Sequence, residues 1–290
     1  MLNNYKFQQI LSYFPLSLQN LLINKLNHII NYSPTIGLMG KTGAGKSSLI
    51  NALFQSPLSP VSDVSGCTRQ AQRFTMAMDS HAITFIDLPG VGESLERDRE
   101  YHQLYRNLLP ELDLIIWVLK ADDRAWSADE QCYRFLTEQC GYKSSRFLFV
   151  LNQADKIEPC REWNVKYRHP SPKQADNLRQ KQVAVVNVFK PTNPVTTVSS
   201  TEHYQLSLLA EQLIMALPVQ ASSGVARQLN TPYRTASVEA AARNDFGQCV
   251  SDLVDSLIDI IPLPTVVKNT LSTVKSTLVS VAKSLWSFFF

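Results

Sequence analysis

The sequence predicts an α/β fold: a doubly wound, mostly parallel sheet with helical additions toward both ends of the chain. Three observations predict it. From Thr35 onward, apolar runs of strand length alternate with stretches of helical period. A glycine-rich loop of the form G-x-x-x-x-G-K-S/T, Gly40-Lys41-Thr42-Gly43-Ala44-Gly45-Lys46-Ser47, lies between the first run and the first helical stretch. Seven of the ten glycines fall between Gly37 and Gly92, where loops at the carboxyl ends of such strands carry ligand.

Residues 5–31 read as an N-terminal helical segment, assigned to residues 1–33. Phe7, Leu11, Phe14, Leu18, Leu21, Leu22, Leu26, Ile29 and Ile30 share one side, with a break near Pro15. Thr35–Met39 reads as a buried strand. The glycines of the following loop let backbone N–H groups of Gly40, Thr42, Gly43, Ala44, Gly45, Ser47 and Ser48 wrap a phosphate chain. The helix predicted at 46–54 points its positive end at the same anion. Lys46 is placed to reach the β- and γ-phosphates, and Ser47 to hold Mg²⁺.

Between this helix and the next strand lies Gly66-Cys67-Thr68-Arg69. Thr68 is the candidate for a threonine that closes on Mg²⁺ and the γ-phosphate, with Ser62 and Ser65 as rivals. Strands follow at 71–78 and 81–87, and His81 between them is expected to be exposed in a hairpin turn. The second strand ends in Asp87-Leu88-Pro89-Gly90. A carboxylate there can hold Mg²⁺ through water, and the Gly90 N–H can contact the γ-phosphate.

Helices at 97–107, 128–140, 174–188 and 203–216 alternate with strands at 112–119, 146–152 and 194–198. The strand at 146–152 runs into Asn152-Gln153-Ala154-Asp155. Asp155 can accept two hydrogen bonds from the N1–H and N2–H edge of guanine. Adenine offers no such donor pair and would leave a carboxylate unpaired, so this element favours GTP over ATP. Gln153 stands where a lysine is usual. Ser199-Ser200, after the last strand, is where a further base-contacting loop should fall. Residues 34–218 are therefore read as a GTP-binding domain.

These residues carry a family resemblance. Gly45-Lys46-Ser47-Ser48-Leu49-Ile50-Asn51-Ala52-Leu53-Phe54 and Gly66-Cys67-Thr68-Arg69 resemble the signatures of the bacterial Era/TrmE-related group of translation-factor-type GTPases. The Thr42-Gly43-Ala44-Gly45 form and the chain length resemble prophage-encoded bacterial GTPases, and more distantly immunity-related GTPases. The resemblance spans about Thr35 to Leu217. It implies a G domain that binds GTP or GDP with Mg²⁺ and hydrolyses GTP through Lys46, Thr68 and Gly90, with a ribosome, RNA or protein effector. Two departures bear on rate. Potassium-activated members carry Asn where this chain has Gly43. Val91 stands where many GTPases have a water-orienting Gln, and valine cannot hydrogen-bond water, so slow hydrolysis is expected.

After Pro218 the composition changes. Residues 219–236 read as a polar linker with Ser, Gly and Pro and no periodicity. Residues 237–290 read as a helical region. Its first helix carries Phe246, Val250, Leu253, Val254, Leu257, Ile258 and Ile261 on one face. Pro262-Leu263-Pro264 breaks the pattern. Its second helix carries Val267, Leu271, Val274, Leu278, Val281 and Leu285, and ends in Trp286-Ser287-Phe288-Phe289-Phe290. Lys268, Lys275 and Lys283 interrupt it, which argues against a spanning helix. Three readings compete: a packed hairpin with the N-terminal helix, a partner-binding surface, or a peripheral membrane contact through residues 265–290.

Composition narrows the classes. A hydrophobic content of 44% is ample for a core, and the net charge of +3 does not by itself indicate nucleic acid. Charge distribution is more telling. From Arg161 to Lys190 seven basic residues face only Glu162 and Asp176, which reads either as a solvated helix face or as a basic surface able to meet RNA, a ribosome or anionic lipid. The five cysteines form no C-x-x-C pair, and with the polar N-terminus they point to the cytoplasm, with a place peripheral to the membrane under the third reading. The function expected is a Mg²⁺-dependent GTP-hydrolysing switch. The alternative is a membrane-associated or self-assembling scaffold, a GTP-dependent homodimer with little hydrolysis. A P-loop ATPase is a third choice, opposed by Asp155.

Overall fold

The structure, a computed structural model, describes residues 12, 16–55, 59–60, 71–78, 81–89, 95–260 and 265–290. Thr68, its rivals Ser62 and Ser65, Cys67, Gly90 and Val91 lie outside the described residues, as does most of the helix expected before Pro15.

A seven-stranded sheet forms the centre, in the order β2-β3-β4-β1-β5-β6-β7. The strands are β1 (Thr35–Met39), β2 (Ser59–Pro60), β3 (Gln72–Met78), β4 (His81–Asp87), β5 (Leu114–Lys120), β6 (Phe147–Asn152) and β7 (Thr196–Thr197). β4, β1, β5, β6 and β7 run parallel, while β2 and β3 add an antiparallel edge. This is the mostly parallel, doubly wound sheet that the alternation predicts, with a short extra strand at the edge.

Strand period two sends side chains to two different cores. Ile36, Leu38, Leu114, Ile116, Val118, Leu148 and Val150 face one side. Met39, Ile115, Trp117, Leu119, Phe147, Phe149 and Leu151 face the other. Helices α3 (Leu95–Leu108), α4 (Ser127–Arg134) and α5 (Pro172–Phe189) cover the second side. Trp117, Tyr133, Phe149 and Phe189 form an aromatic cluster there. The helix expected at 128–140 ends its α-helical part at Arg134 and finishes as a wider turn, Phe135–Gln139.

The first side is covered by α1 (Leu16–Ile30), α2 (Lys46–Leu53), α6 (Leu206–Ala216), α7 (Val219–Gln228), α8 (Ala236–Ile260) and α9 (Thr265–Ser284), with a last turn α10 (Trp286–Phe289). α7 corrects the expectation of a linker at 219–236. Ala221, Ser222, Ser223, Gly224, Val225 and Ala226 are all buried. Gly224 packs against Tyr32 and Pro34. The Ser, Gly and Ala content that reads as flexible chain is instead a small-residue face allowing close approach. Beyond it, Asn230 donates from its backbone to the Leu53 carbonyl (2.8 Å) and from its side chain to the Ala52 carbonyl (2.8 Å). The supposed linker therefore caps the carboxyl end of α2.

The C-terminal elements pack inward, as the hairpin reading expects. Leu278, Ala282, Trp286, Phe289 and Phe290 join the core with Phe246, Val250, Leu22 and Leu26. Trp286 Nε1 donates to Ser223 Oγ at 2.9 Å. His81 is a second correction. It is buried, its Nε2 lies 3.1 Å from the Phe289 carbonyl oxygen, and its ring stacks on Phe290. The chain's aromatic tail covers a position that local sequence places in a turn. Among the described residues, no helix is long and apolar enough to cross a membrane.

Candidate functional site

The loops at the carboxyl ends of β1, β4, β6 and β7 converge where β1 lies between β4 and β5, the point at which the strand order reverses. The phosphate loop leaves β1 at Gly40, whose φ of 132° only glycine adopts readily, and whose Cβ would fall on the Val118 carbonyl. Gly45, at φ 87°, caps α2; a Cβ there would lie 2.5 Å from Asn152 Nδ2. The loop is thus pressed against β5 and β6, and glycine is required at both contacts. Thr42, Gly43, Ser47 and Ser48 are exposed, whereas Ala44 is buried.

Lys46 Nζ donates to the Gly40 carbonyl at 2.8 Å and lies 3.6 Å from Asp87 Oδ1. Asp87 Oδ1 is buried and has no hydrogen-bond partner among the described residues. Burial pushes the Asp87 carboxyl above its ordinary value, and Lys46 opposes that shift. A buried, under-partnered carboxylate oxygen beside a lysine and near the exposed Ser47 fits a hard cation held through oxygen and water, the chemistry of Mg²⁺.

The base-reading residues are joined to this loop directly. Asn152 Nδ2 donates to the Ala44 carbonyl (2.9 Å), while its Oδ1 accepts from Ser200 N (3.2 Å) and Ser200 Oγ (2.9 Å). One buried amide therefore ties the phosphate loop to the loop after β7. Asp155 Oδ1 accepts from Ser199 Oγ at 2.5 Å, and Ala154 N donates to the Val198 carbonyl at 3.0 Å. Gln153, at φ 61°, donates through Nε2 to the Gly43 carbonyl at 2.8 Å. The residue that departs from the usual motif clips the phosphate loop from the base side. The structure brings together Gly40 to Ser48, Asp87, Asn152, Asp155, Ser199 and Ser200 at one end of the sheet.

A second group supports the loop and escapes motif reading. Lys41 Nζ donates to Asp123 Oδ2 (2.8 Å) and lies 3.5 Å from Asp129 Oδ2. Burial opposes the Lys41 charge, but the Asp123 hydrogen bond and the Asp129 charge hold its ammonium above the ordinary lysine value. Burial raises the Asp129 carboxyl, and Trp117 Nε1 donates to its Oδ1 at 3.0 Å. Beside these residues an open groove of about 430 Å³ is lined by Lys41, Thr42, Lys120, Asp122, Asp123 and Arg124. The one sequence signal was Trp117 itself: an indole inside an otherwise apolar buried strand needs an acceptor.

Comparison with known proteins agrees with this geometry. Residues 35–153 match the family model described as 50S ribosome-binding GTPase. Over 283 residues the sequence is 44% identical to the uncharacterised protein YfjP of Escherichia coli (strain K12), covering 98% of this chain and 96% of YfjP. YkfA of the same strain, also uncharacterised, is 43% identical over 98% of this chain and 97% of its own length. GTPase Era of Thermoanaerobacter sp. (strain X514) is 23% identical over 63% of this chain and about half of Era, 54%. A crystal structure of Era in complex with MgGDPNP and nucleotides 1506–1542 of 16S ribosomal RNA aligns with 24% identity and a TM-score of 0.42, covering 64% of this chain and 57% of that one. Residues 35–153, which hold the phosphate loop, Asp87 and Asn152, thus match a GTPase family model.

Proposed function

This chain belongs to the family of the Escherichia coli proteins YfjP and YkfA, and we propose that it is a slow, Mg²⁺-dependent GTP hydrolase that switches a ribosome- or RNA-borne partner. The observation that carries the reading is the Asn152 amide, which holds the phosphate loop and the Ser199–Ser200 loop in one frame. In that frame Asp155, with Ser199 and Ser200, selects guanine. Lys46 meets the β- and γ-phosphates, and the Gly90 N–H contacts the γ-phosphate. Ser47, Thr68 and Asp87 would hold Mg²⁺, which would supply neutralisation of charge on the phosphate oxygens. Water attacks the γ-phosphorus in line as the bond to the bridging oxygen breaks.

Val91 has no group to orient that water, which supports a low intrinsic rate. Gly43, in place of the Asn of potassium-activated relatives, supports a rate indifferent to potassium. The form of the phosphate loop supports a prophage-type lineage within the family, and the cysteine pattern a cytoplasmic setting. GTP turnover by the full-length protein with Mg²⁺, in sodium and then in potassium, tests the reading. Slow and equal rates are expected, with GTP bound far better than ATP. Equal affinity for ATP ends the guanine assignment, and fast potassium-stimulated turnover ends the slow-switch assignment. Ribosome sedimentation with a non-hydrolysable GTP analogue and with GDP tests the partner. Sedimentation in neither state removes it.

A further inference from the structure

Between β6 and α5 the chain makes a small hairpin. Asn164 N donates to the His169 carbonyl (3.0 Å) and His169 N returns the bond to the Asn164 carbonyl (3.3 Å). Asn164 Oδ1 accepts from Tyr167 N at 3.0 Å, and Arg168 takes φ 53°. The turn is therefore closed by its own hydrogen bonds. Its root is anchored: Trp163 is buried and meets the Tyr204 ring edge-on at 5.5 Å.

What this built turn presents is unusual for a solvated loop. Val165 and Tyr167 are 73% and 65% exposed. The Tyr167 and His169 rings stack with centroids 6.1 Å apart and planes 14° apart. Lys166 Nζ lies 5.2 Å from the centre of the Tyr167 ring. Arg161, Lys166, Arg168 and Lys173 lie in the hairpin or within four residues of it in sequence, all exposed, and none of the four is in an ion pair among the described residues. The basic charge farther along α5 is differently used. Arg179 pairs with Asp176, and Lys181 donates to the Asp123 carbonyl and lies over Trp126. Lys190 stands apart at the far end of α5, while Lys166 and Arg168 lie on the turn that bears the two near-parallel rings, with Arg161 and Lys173 flanking it in sequence.

We propose that the hairpin Asn164–His169 is a contact site for single-stranded RNA, with Tyr167 and His169 as a stacking platform and Arg161, Lys166, Arg168 and Lys173 on the phosphates. The inference rests on the RNA-directed reading above and gives it a place. An unpaired base offers an open ring face to Tyr167, which a duplex does not. An anionic lipid surface would be met by the charges but does not call for two rings in near-parallel planes. The site lies beside the guanine-reading loop. Trp163 at the root of the hairpin meets Tyr204, whose backbone N–H donates to the Ser199 carbonyl at 3.0 Å.

The test uses the full-length protein and fluorescently labelled oligoadenylate, read by anisotropy across a salt series. Duplex RNA and anionic phosphatidylserine vesicles serve as further probes. Wild type is expected to bind the single strand and to prefer it to the duplex. Tyr167→Ala should weaken binding roughly tenfold, with Tyr167→Phe restoring it. Lys166→Ala combined with Arg168→Asn should lower the slope of log affinity against log salt by about 1.4, roughly 0.7 per lost phosphate contact. Asn is chosen because it tolerates the positive φ. GTP affinity should be unchanged in all three variants. Unaltered RNA binding by Tyr167→Ala overturns the hairpin assignment while leaving an RNA partner standing. No RNA binding by wild type, or vesicle binding alone lost in the double variant, overturns it outright. Absent GTP turnover fails the enzymatic reading without touching this one.

Discussion

Both ends of the Asn152 amide are committed to the site, one to the Ala44 carbonyl and one to Ser200. Replacement by an aliphatic residue would leave buried polar groups unpaired on two loops at once, whereas Asp155 beside it is half-buried and is held by Ser199 Oγ alone among these loops. Asp155→Asn is therefore expected to keep the fold and to move preference from guanosine toward xanthosine nucleotides, because the amide supplies a donor where xanthine presents an acceptor. Competition titration with the two nucleotides checks it. Asp87 carries a pH prediction. Its folded carboxyl is raised by burial, so it takes up a proton at a pH above the ordinary range near 4. Protonation removes the anion that Mg²⁺ requires. Mg²⁺-dependent GTP affinity should fall with falling pH earlier than an ordinary aspartate predicts. Lys46 lowers that pKa, so Lys46→Ala should weaken binding at every pH and shift the loss to higher pH. A profile that stays flat through the carboxylate range removes Asp87 from the metal site.

At the scale of elements, α9 and α10 act as packing, with Trp286 at 2% exposure filling the space between α7 and α8. Trp286→Ala should cost about 3–5 kcal/mol in urea unfolding, through the cavity and the Ser223 hydroxyl left behind. Removing residues 265–290 should lower the melting temperature and promote aggregation, with GTP binding retained at low temperature. Unchanged melting after truncation, together with salt-sensitive sedimentation of the intact protein on anionic vesicles, would restore the membrane reading. These elements also mark how far sequence carries. β1, β4, β5 and β6 were legible because strand runs buried on both faces leave a continuous apolar signal. The phosphate loop and Asn152–Asp155 were legible because their chemistry depends on fixed local spacing. α7 was not, since a helix that packs by small residues lacks the large apolar stripe that marks a helix in sequence. His81 and the Lys41–Asp123–Asp129 group were not, because their partners come from 208, 82 and 88 positions away. No local pattern reports such distance.

At the scale of the molecule, the helical ends and the sheet share one core among the described residues. A single apolar cluster runs from Leu22 and Leu26 of α1 through the sheet face to α6, α7, α8 and the aromatic tail. A fragment cut to residues 34–218 would leave Ile36, Leu38, Ile83 and Phe85 on a face stripped of α1, α7 and α8. That fragment should be poorly soluble, bind hydrophobic dyes and lose cooperative unfolding, although every guanine-reading residue is present. A soluble, sharply melting fragment would show the two ends to be separable. The capping of α2 by Asn230 has a consequence in time. Translation delivers the phosphate loop and its helix long before residue 230 leaves the ribosome. Through that interval the helix after the phosphate loop lacks the Asn230 cap, and its sheet face lacks the cover of α7 and α8. The nascent chain thus carries its phosphate motif, among the first to be made, for most of synthesis before the residues that finish its support have emerged.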